Sequence, residues 1–333
     1  MYQAQDHAAL VFAPKAETAL GHAIARHLNQ PLANLEERDF EDGEHKTRPL
    51  ENVRDRDVYV VHSLYADKHQ TVNDKLVRLL FFLGALRDAG AGRITAVVPY
   101  LCYARKDRKT KTRDPITTRY LAQLFEAVGC DRVAVMDVHN IAAFQNAFRC
   151  PTEHLLAAGL FVRYFADLPA IKAPVVVSPD AGGMKRARAF RDRLEAELGI
   201  PVPLAFMEKE RSGGQLSGGL VVGEIHHRQA IILDDLISTG GTLRLAAQAL
   251  REQGAEKVFA AATHGLFMSA ANTQLAGGEL DGIVVTNTVR PSKLENPVVM
   301  AKIETLDVAP LLADAIARMH SGGSLVELMA QSR

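Results

Sequence analysis

Residues 231–242 read Ile-Ile-Leu-Asp-Asp-Leu-Ile-Ser-Thr-Gly-Gly-Thr, and the two halves of this stretch demand opposite surroundings. Ile231, Ile232 and Leu233 form the apolar run that a strand covered on both faces requires, whereas Leu245, Ala246, Ala249 and Leu250 recur at helical spacing. Between them lie two adjacent carboxylates, Asp234 and Asp235, and a turn of small residues. Glycines in that turn let bare backbone N–H groups approach an anion, and the opening turn of the helix adds unpaired donors and the positive end of its dipole. A strand feeding a helix in this way commits the region to an α/β sheet, whose ligands lie beyond the carboxyl ends of the strands. The turn suits a phosphate and the carboxylates suit hydroxyls, so a sugar phosphate satisfies both halves. Taken alone, the stretch also reads as an acidic, glycine-containing strand-to-helix turn. It is not a P-loop, since G-x-x-x-x-G-K-[ST] occurs nowhere in the chain.

The rest of the chain repeats the same grammar. Residues 8–13 read as a strand, and Leu20, Ile24 and Leu28 give the following helix an apolar stripe. An exposed acidic turn, Asp39-Phe40-Glu41-Asp42-Gly43-Glu44, precedes a buried strand at 57–64. A long amphipathic helix at 72–89 leads through a glycine turn into a strand at 94–99. Residues 103–113 then carry six basic side chains, including Arg105 and Lys106 around Asp107. A charge run is commonly a solvated face, but its position after a strand favours an anion-binding loop. A helix at 115–128 and a strand at 132–138 bring the chain to His139 and Asn140.

Helical spacing restarts at 155–168, which places a domain boundary near Ala157 and divides the chain into 1–157 and 158–333. A strand at 173–177 runs into Ser178-Pro179-Asp180-Ala181-Gly182-Gly183 and a helix opening with Lys185 and Arg186, a second glycine turn suited to a magnesium-bound polyphosphate. After a strand at 203–207, Lys209 and Arg211 stand at the base of a segment with four glycines between 213 and 219. Such a segment serves either as a linker or as a loop that closes cations over reacting phosphates. Strands are expected at 257–263, 283–286 and 298–303, with a final amphipathic helix at 308–319.

A length of 333 residues accommodates two domains, each with its own core. Lys plus Arg and Asp plus Glu are equal at 39 each, so no global field favours nucleic acid or a membrane surface, and any anion site must be local. Three cysteines, Cys102, Cys130 and Cys150, none in a C-x-x-C pair, fit a reduced cytoplasmic chain. No apolar run is long enough to span a bilayer.

Eight segments together, 40–44, 51–63, 93–109, 136–139, 176–186, 209–211, 234–242 and 263–267, resemble the ribose-phosphate pyrophosphokinase family over nearly the whole chain. The resemblance implies an α/β fold of two phosphoribosyltransferase-like domains, each a mainly parallel sheet flanked by helices. It also implies Mg²⁺-dependent transfer of the β,γ-diphosphoryl group of ATP to O1 of ribose 5-phosphate, releasing AMP. Asp234 and Asp235 would hold the ribose hydroxyls, with Ser238, Thr239, Gly240, Gly241 and Thr242 on the 5-phosphate. Asp180, Gly182 and Gly183 would form the diphosphate loop, and His139 and Asp180 would position Mg²⁺. Arg105, Lys106, Asp107 and His139 would lie in the ATP site, and Lys209 and Arg211 would act in catalysis. Phe40, Asp42 and Glu44 would reach the adenine pocket of a neighbouring subunit, which implies a homo-oligomer. The chain departs from the family pattern at Lys106, usually Gln; at Ser238, Asp in many members; and at Val138 and Asn140, usually Leu and Ala or Ser. Two other readings remain at this stage, a phosphoribosyltransferase and a catalytically silent subunit that associates with synthetases.

Overall fold

Runs such as Asp-Val-Tyr-Val-Val and Arg-Val-Ala-Val-Met have no polar face to offer solvent, and they become the inner strands of a parallel sheet. The computed structural model describes residues 8–208 and 220–331, with 211–212 and 215–216 described as backbone only. The chain divides into two compact units, the first comprising Met1–Leu156 and Val308–Ala330, the second Ala157–Asp307 with Gln331–Arg333.

In the first unit the strands β1 (Leu10–Phe12), β4 (Asp57–Val61), β5 (Arg93–Val98), β6 (Arg132–Met136) and β7 (Thr152–Leu155) form one parallel sheet in that order. The antiparallel pair β2 (Leu35–Asp39) and β3 (His45–Pro49) stands as a separate hairpin. Helices α1 (Thr18–His27), α2 (Val72–Asp88), α3 (Thr117–Ala127) and α4 (Ile141–Ala147) connect them. Helix α2 begins with a capping box in which the Thr71 hydroxyl accepts from Asp74 N and the Asp74 carboxylate accepts from Thr71 N at 2.7 Å. Its apolar stripe, Leu76, Leu79, Leu83 and Leu86, packs with Val58, Val60, Ile94 and Val98 in the core of this unit.

The second unit comprises α5 (Ala158–Asp167), β8 (Pro174–Ser178), α6 (Met184–Leu198), β9 (Leu204–Glu208), the two-residue strands β10 (Arg211–Ser212) and β11 (Gln215–Leu216), β12 (Leu220–Val222) and β13 (Gln229–Ile237). Then follow α7 (Gly241–Glu252), β14 (Lys257–Gly265), α8 (Ala271–Gln274), β15 (Gly282–Thr286), α9 (Pro297–Met300) and β16 (Ile303–Leu306). The order in its main sheet is β12-β9-β8-β13-β14-β15-β16, parallel except where β12 pairs with β9. From β8 the chain moves outward to β9, and from β13 it moves the opposite way to β14. The sheet therefore reverses its winding between β8 and β13, the position at which open α/β sheets form a ligand crevice.

Three expectations are revised. Residues 152–155 form β7 beside β6, so the helix expected from 155 begins only at Ala158. The strand expected at 298–303 is instead the turn α9, because Asn296 accepts from Val298 N at 2.9 Å and Pro297 occupies the first helical position; the strand starts at Ile303. Finally, α10 (Ala309–Ser321) and α11 (Leu325–Gln331) follow the second unit, yet residues 308–330 belong to the first, where α10 packs on α1. Sequence pattern alone assigns this segment to the second domain, 158–333.

Candidate active site

At the reversal point two turns leave neighbouring strands. Strand β8 ends at Ser178, whose hydroxyl donates to the Asp180 carbonyl at 2.7 Å, and the Asp180 carboxylate accepts from Gly183 N at 3.0 Å. A Cβ at Gly183 would stand 2.8 Å from Ser178 Oγ, so the turn closes this tightly only with glycine there. Helix α6 starts immediately afterwards, and its first N–H groups have no partner within the helix.

Strand β13 runs further than its apolar residues alone required. Pairing with β14 carries it through Asp234 and Asp235 to Ile237, with Leu236 opposite His264 and Ile237 opposite Gly265. Helix α7 starts at Gly241 rather than 243, after Gly240 takes φ +81°. A side chain at Gly240 would also collide with Leu275, whose Cγ and Cδ2 lie 2.6 Å from a Cβ position there. The loop after β14 holds the turn from behind: Phe267 N donates to the Ile237 carbonyl at 3.1 Å and Met268 N to the Ser238 carbonyl at 2.9 Å. Beneath that loop His264 Nδ1 lies 2.9 Å from Thr288 Oγ1, and both Thr286 and Thr288 donate to the Thr263 carbonyl.

The two turns are joined by a side chain absent from the expected site. Arg186, in the first turn of α6, donates through Nη1 to Asp234 Oδ1 at 3.3 Å and Asp235 Oδ1 at 3.1 Å. Its position just after the glycine turn was legible; its partners, nearly fifty residues away, were not. Asp235 is buried, and Asp234 is partly so. Burial first, and then the adjoining Asp235 carboxylate, push the Asp234 acid up to about 7, while Arg186 pulls the other way. One arginine thus faces two acids that resist being charged together.

In the first unit, the basic segment after β5 folds around Asp114. Its carboxylate accepts from Lys106 Nζ at 2.5 Å, from Thr110 N and Oγ1 at 3.0 and 2.7 Å, and from Lys111 N at 2.9 Å. The Lys106 ammonium, then Thr110, hold that carboxyl well below the usual range. Lys106 is therefore engaged within its own loop, whereas Arg105, Arg108, Lys109, Lys111 and Arg113 are exposed. Beyond β6, Asp137 takes φ +36° and His139 is exposed. Asn140 caps α4 and donates from Nδ2 to Asp107 Oδ2 at 2.6 Å, which brings Asp107 and the His139 turn together.

The acidic turn expected at 39–44 is the tip of the β2–β3 hairpin, with Phe40, Asp42 and Glu44 all exposed and Arg38 over the Phe40 ring at 5.2 Å. The hairpin was missed because its strands are charged; the signal for it is Asp42-Gly43 between runs whose cross-strand partners, Glu36 and Arg48, bond at 2.6 Å. Lys209 lies outside the described residues, and Arg211 is described only as backbone, paired with Leu216. Among the described residues no three His, Cys, Asp or Glu side chains converge as a ready metal cage, and no helix is long and apolar enough to cross a membrane.

A parallel sheet with two glycine turns at its winding reversal, one of them led by paired acids, defines an α/β protein of the phosphoribosyltransferase-like class. The N-terminal domain of ribose phosphate pyrophosphokinase matches residues 9–129, and the phosphoribosyl synthetase-associated domain matches residues 215–330. The ribose-phosphate pyrophosphokinase of Caldanaerobacter subterraneus subsp. tengcongensis is 39% identical over 319 residues, 96% of each chain. That of Haemophilus influenzae is 38% identical, covering 95% of this chain and 97% of the other. The crystal structure of phosphoribosylpyrophosphate synthetase from Mycobacterium smegmatis superposes with a TM-score of 0.84 at 34% identity, over 95% of this chain and all of that one. The chain belongs to the ribose-phosphate pyrophosphokinase family.

Proposed function

We propose that the protein makes phosphoribosyl pyrophosphate by moving the β,γ-diphosphoryl group of ATP onto ribose 5-phosphate. The observation that carries this reading is the pair of turns at the β8/β13 reversal, joined by Arg186: one turn suits a diphosphate, the other a sugar phosphate.

The N–H groups of Ser238, Thr239, Gly240, Gly241 and Thr242 take the 5-phosphate at the opening of α7, where the helix dipole favours an anion. Asp234 and Asp235 accept from the ribose hydroxyls and orient the sugar. Asp180, Gly182 and Gly183 receive the diphosphate. Arg105, Asp107 and His139 bind the nucleotide, and Lys106 would join them on leaving Asp114. Phe40 can stack on the adenine of a neighbouring subunit while Asp42 or Glu44 accepts from its exocyclic amine, so the active form is a homo-oligomer.

In the transfer the sugar O1 bonds to the β-phosphorus as the bond from that phosphorus to the α,β-bridging oxygen breaks, the bridging oxygen departs with AMP, and the O1 proton passes to solvent. Little covalent work falls to the protein, so alignment and charge neutralisation supply most of the acceleration. Lys209 and Arg211 meet the charge on the β,γ-phosphates. His139 and Asp180 would hold Mg²⁺. The Asp180 carboxylate suits this hard cation, which is commonly bound through one or two carboxylates together with water and phosphate oxygens. Gly183 lets the turn close on Ser178 Oγ, 2.8 Å from where its Cβ would stand, which keeps the Asp180 carboxylate at the head of α6. When bound, the metal withdraws charge from the diphosphate.

Incubation with ATP, Mg²⁺ and ribose 5-phosphate should yield AMP and phosphoribosyl pyrophosphate in equal amounts. Consumption of phosphoribosyl pyrophosphate with a purine or pyrimidine base, and no AMP from ATP, would identify a transferase instead. No turnover of either kind would identify a silent subunit.

A further inference from the structure

Asn140 performs two tasks with opposite ends of one amide. Its Oδ1 accepts from Ala143 N at 3.2 Å, capping α4, and its Nδ2 donates to Asp107 Oδ2 at 2.6 Å. Capping needs only an acceptor, which Asp or Ser supplies as well as Asn. Holding a carboxylate needs a donor that reaches across to another loop. Asn has both, and Ala has neither.

The tether matters because of what it joins. Elsewhere Asp114 gathers Lys106, Thr110 and Lys111, Thr117 and Thr118 donate to the Tyr103 carbonyl at 3.0 and 3.2 Å, and the Tyr103 hydroxyl donates to Asn73 Oδ1 in α2. The Asp107–Asn140 bond instead fixes the segment to the turn that carries His139, across 33 positions of sequence. Arg105 and His139 both approach the nucleotide in the reading above, so their spacing is set in part by this bond. We infer that Asn140 is a positioning residue, which holds the Arg105–Asp107 loop in register with His139 for ATP binding. This inference rests on the assignment of ATP to that loop.

Asn140→Asp separates the two tasks: the cap survives, while the tether becomes an encounter of two carboxylates. With Mg²⁺ present and no sugar, calorimetry should show ATP affinity at least about tenfold weaker for Asn140→Asp than for the wild type, with an unchanged melting temperature. Trypsin should cleave faster between Arg105 and Arg113. Asn140→Ser, which retains an acceptor for the cap but has a shorter reach, should weaken ATP similarly. The exchanged pair Asp107→Asn with Asn140→Asp re-creates an amide–carboxylate bond and should restore resistance to trypsin. Affinity for ATP equal to wild type in both single variants would overturn the inference, whatever the cleavage rate. A wild-type protein that binds no ATP would overturn the functional assignment as well; with binding intact, only the role of Asn140 is at stake.

Discussion

His320 places Nδ1 2.7 Å from Oδ2 of Asp57, a residue 263 positions earlier in the chain. Arg93 binds the same carboxylate in parallel, through Nε at 2.7 Å and through Nη2, and Nη2 also donates to the Met319 carbonyl at 3.2 Å; Tyr59 adds its hydroxyl at 2.9 Å. One acid at the start of β4 therefore fastens α10 to the first unit.

Burial alone would raise the Asp57 pKa, but the hydrogen bonds from Arg93, His320 and Tyr59 outweigh it and leave the acid below its ordinary value. A depressed carboxylate stabilises the fold above its unfolded pKa and loses that contribution as pH falls through the folded one. Stability should therefore decline below about pH 4, more steeply in the wild type than in Asp57→Asn. At neutral pH, Asp57→Asn should cost roughly 1.5–3 kcal/mol, the range for hydrogen bonds to a charged group, measured by urea unfolding.

Asp234 shows the opposite behaviour. Burial and the adjoining Asp235 carboxylate raise the Asp234 acid above its ordinary value, so on acidification the pair should take up a proton and cease to be a full acceptor for a sugar hydroxyl, and KM for ribose 5-phosphate should rise toward pH 6. Arg186→Met removes a charge that favours the ionised pair and should move that rise to higher pH. The second ionisation of the sugar phosphate, near 6, is common to both proteins, so the difference between their profiles reports the carboxylate.

Gly240→Ala would force a side chain into a left-handed conformation and onto Leu275. The cost should be roughly 2–4 kcal/mol, seen as a lowered melting temperature, together with a raised KM for ribose 5-phosphate.

Lys209→Ala should lower kcat about a hundredfold, equivalent to about 3 kcal/mol of transition-state stabilisation by analogy with a removed oxyanion donor. Steady-state kinetics with altered KM and unaltered kcat would refute its role in the reacting state.

Elements whose cause is local were legible in the chain itself. Ile231 to Leu233 announced a buried strand, the glycines after Thr239 announced the turn, and the leucines of α2 announced its buried stripe. Contacts between distant residues were not. Nothing near Arg186 indicates that it turns to Asp234 and Asp235, and nothing near Asp107 indicates Asn140. The amphipathic pattern of α10 requires only some apolar surface; Asp57 and Arg93 make that surface the first unit's, and neither is near it in sequence. Where strands were charged, as in the β2–β3 hairpin, alternation of hydrophobicity was too weak to mark them, and opposite charges across the pair took its place.

Because residues 308–330 complete the first unit after residues 157–307 have intervened, that unit cannot finish assembling while it alone has left the ribosome. At 5–20 residues per second, synthesis of the intervening segment takes roughly eight to thirty seconds, during which the surface of α1 that receives α10 stays uncovered. A nascent chain arrested before 308 should for that reason present a binding surface for chaperones that the finished protein lacks.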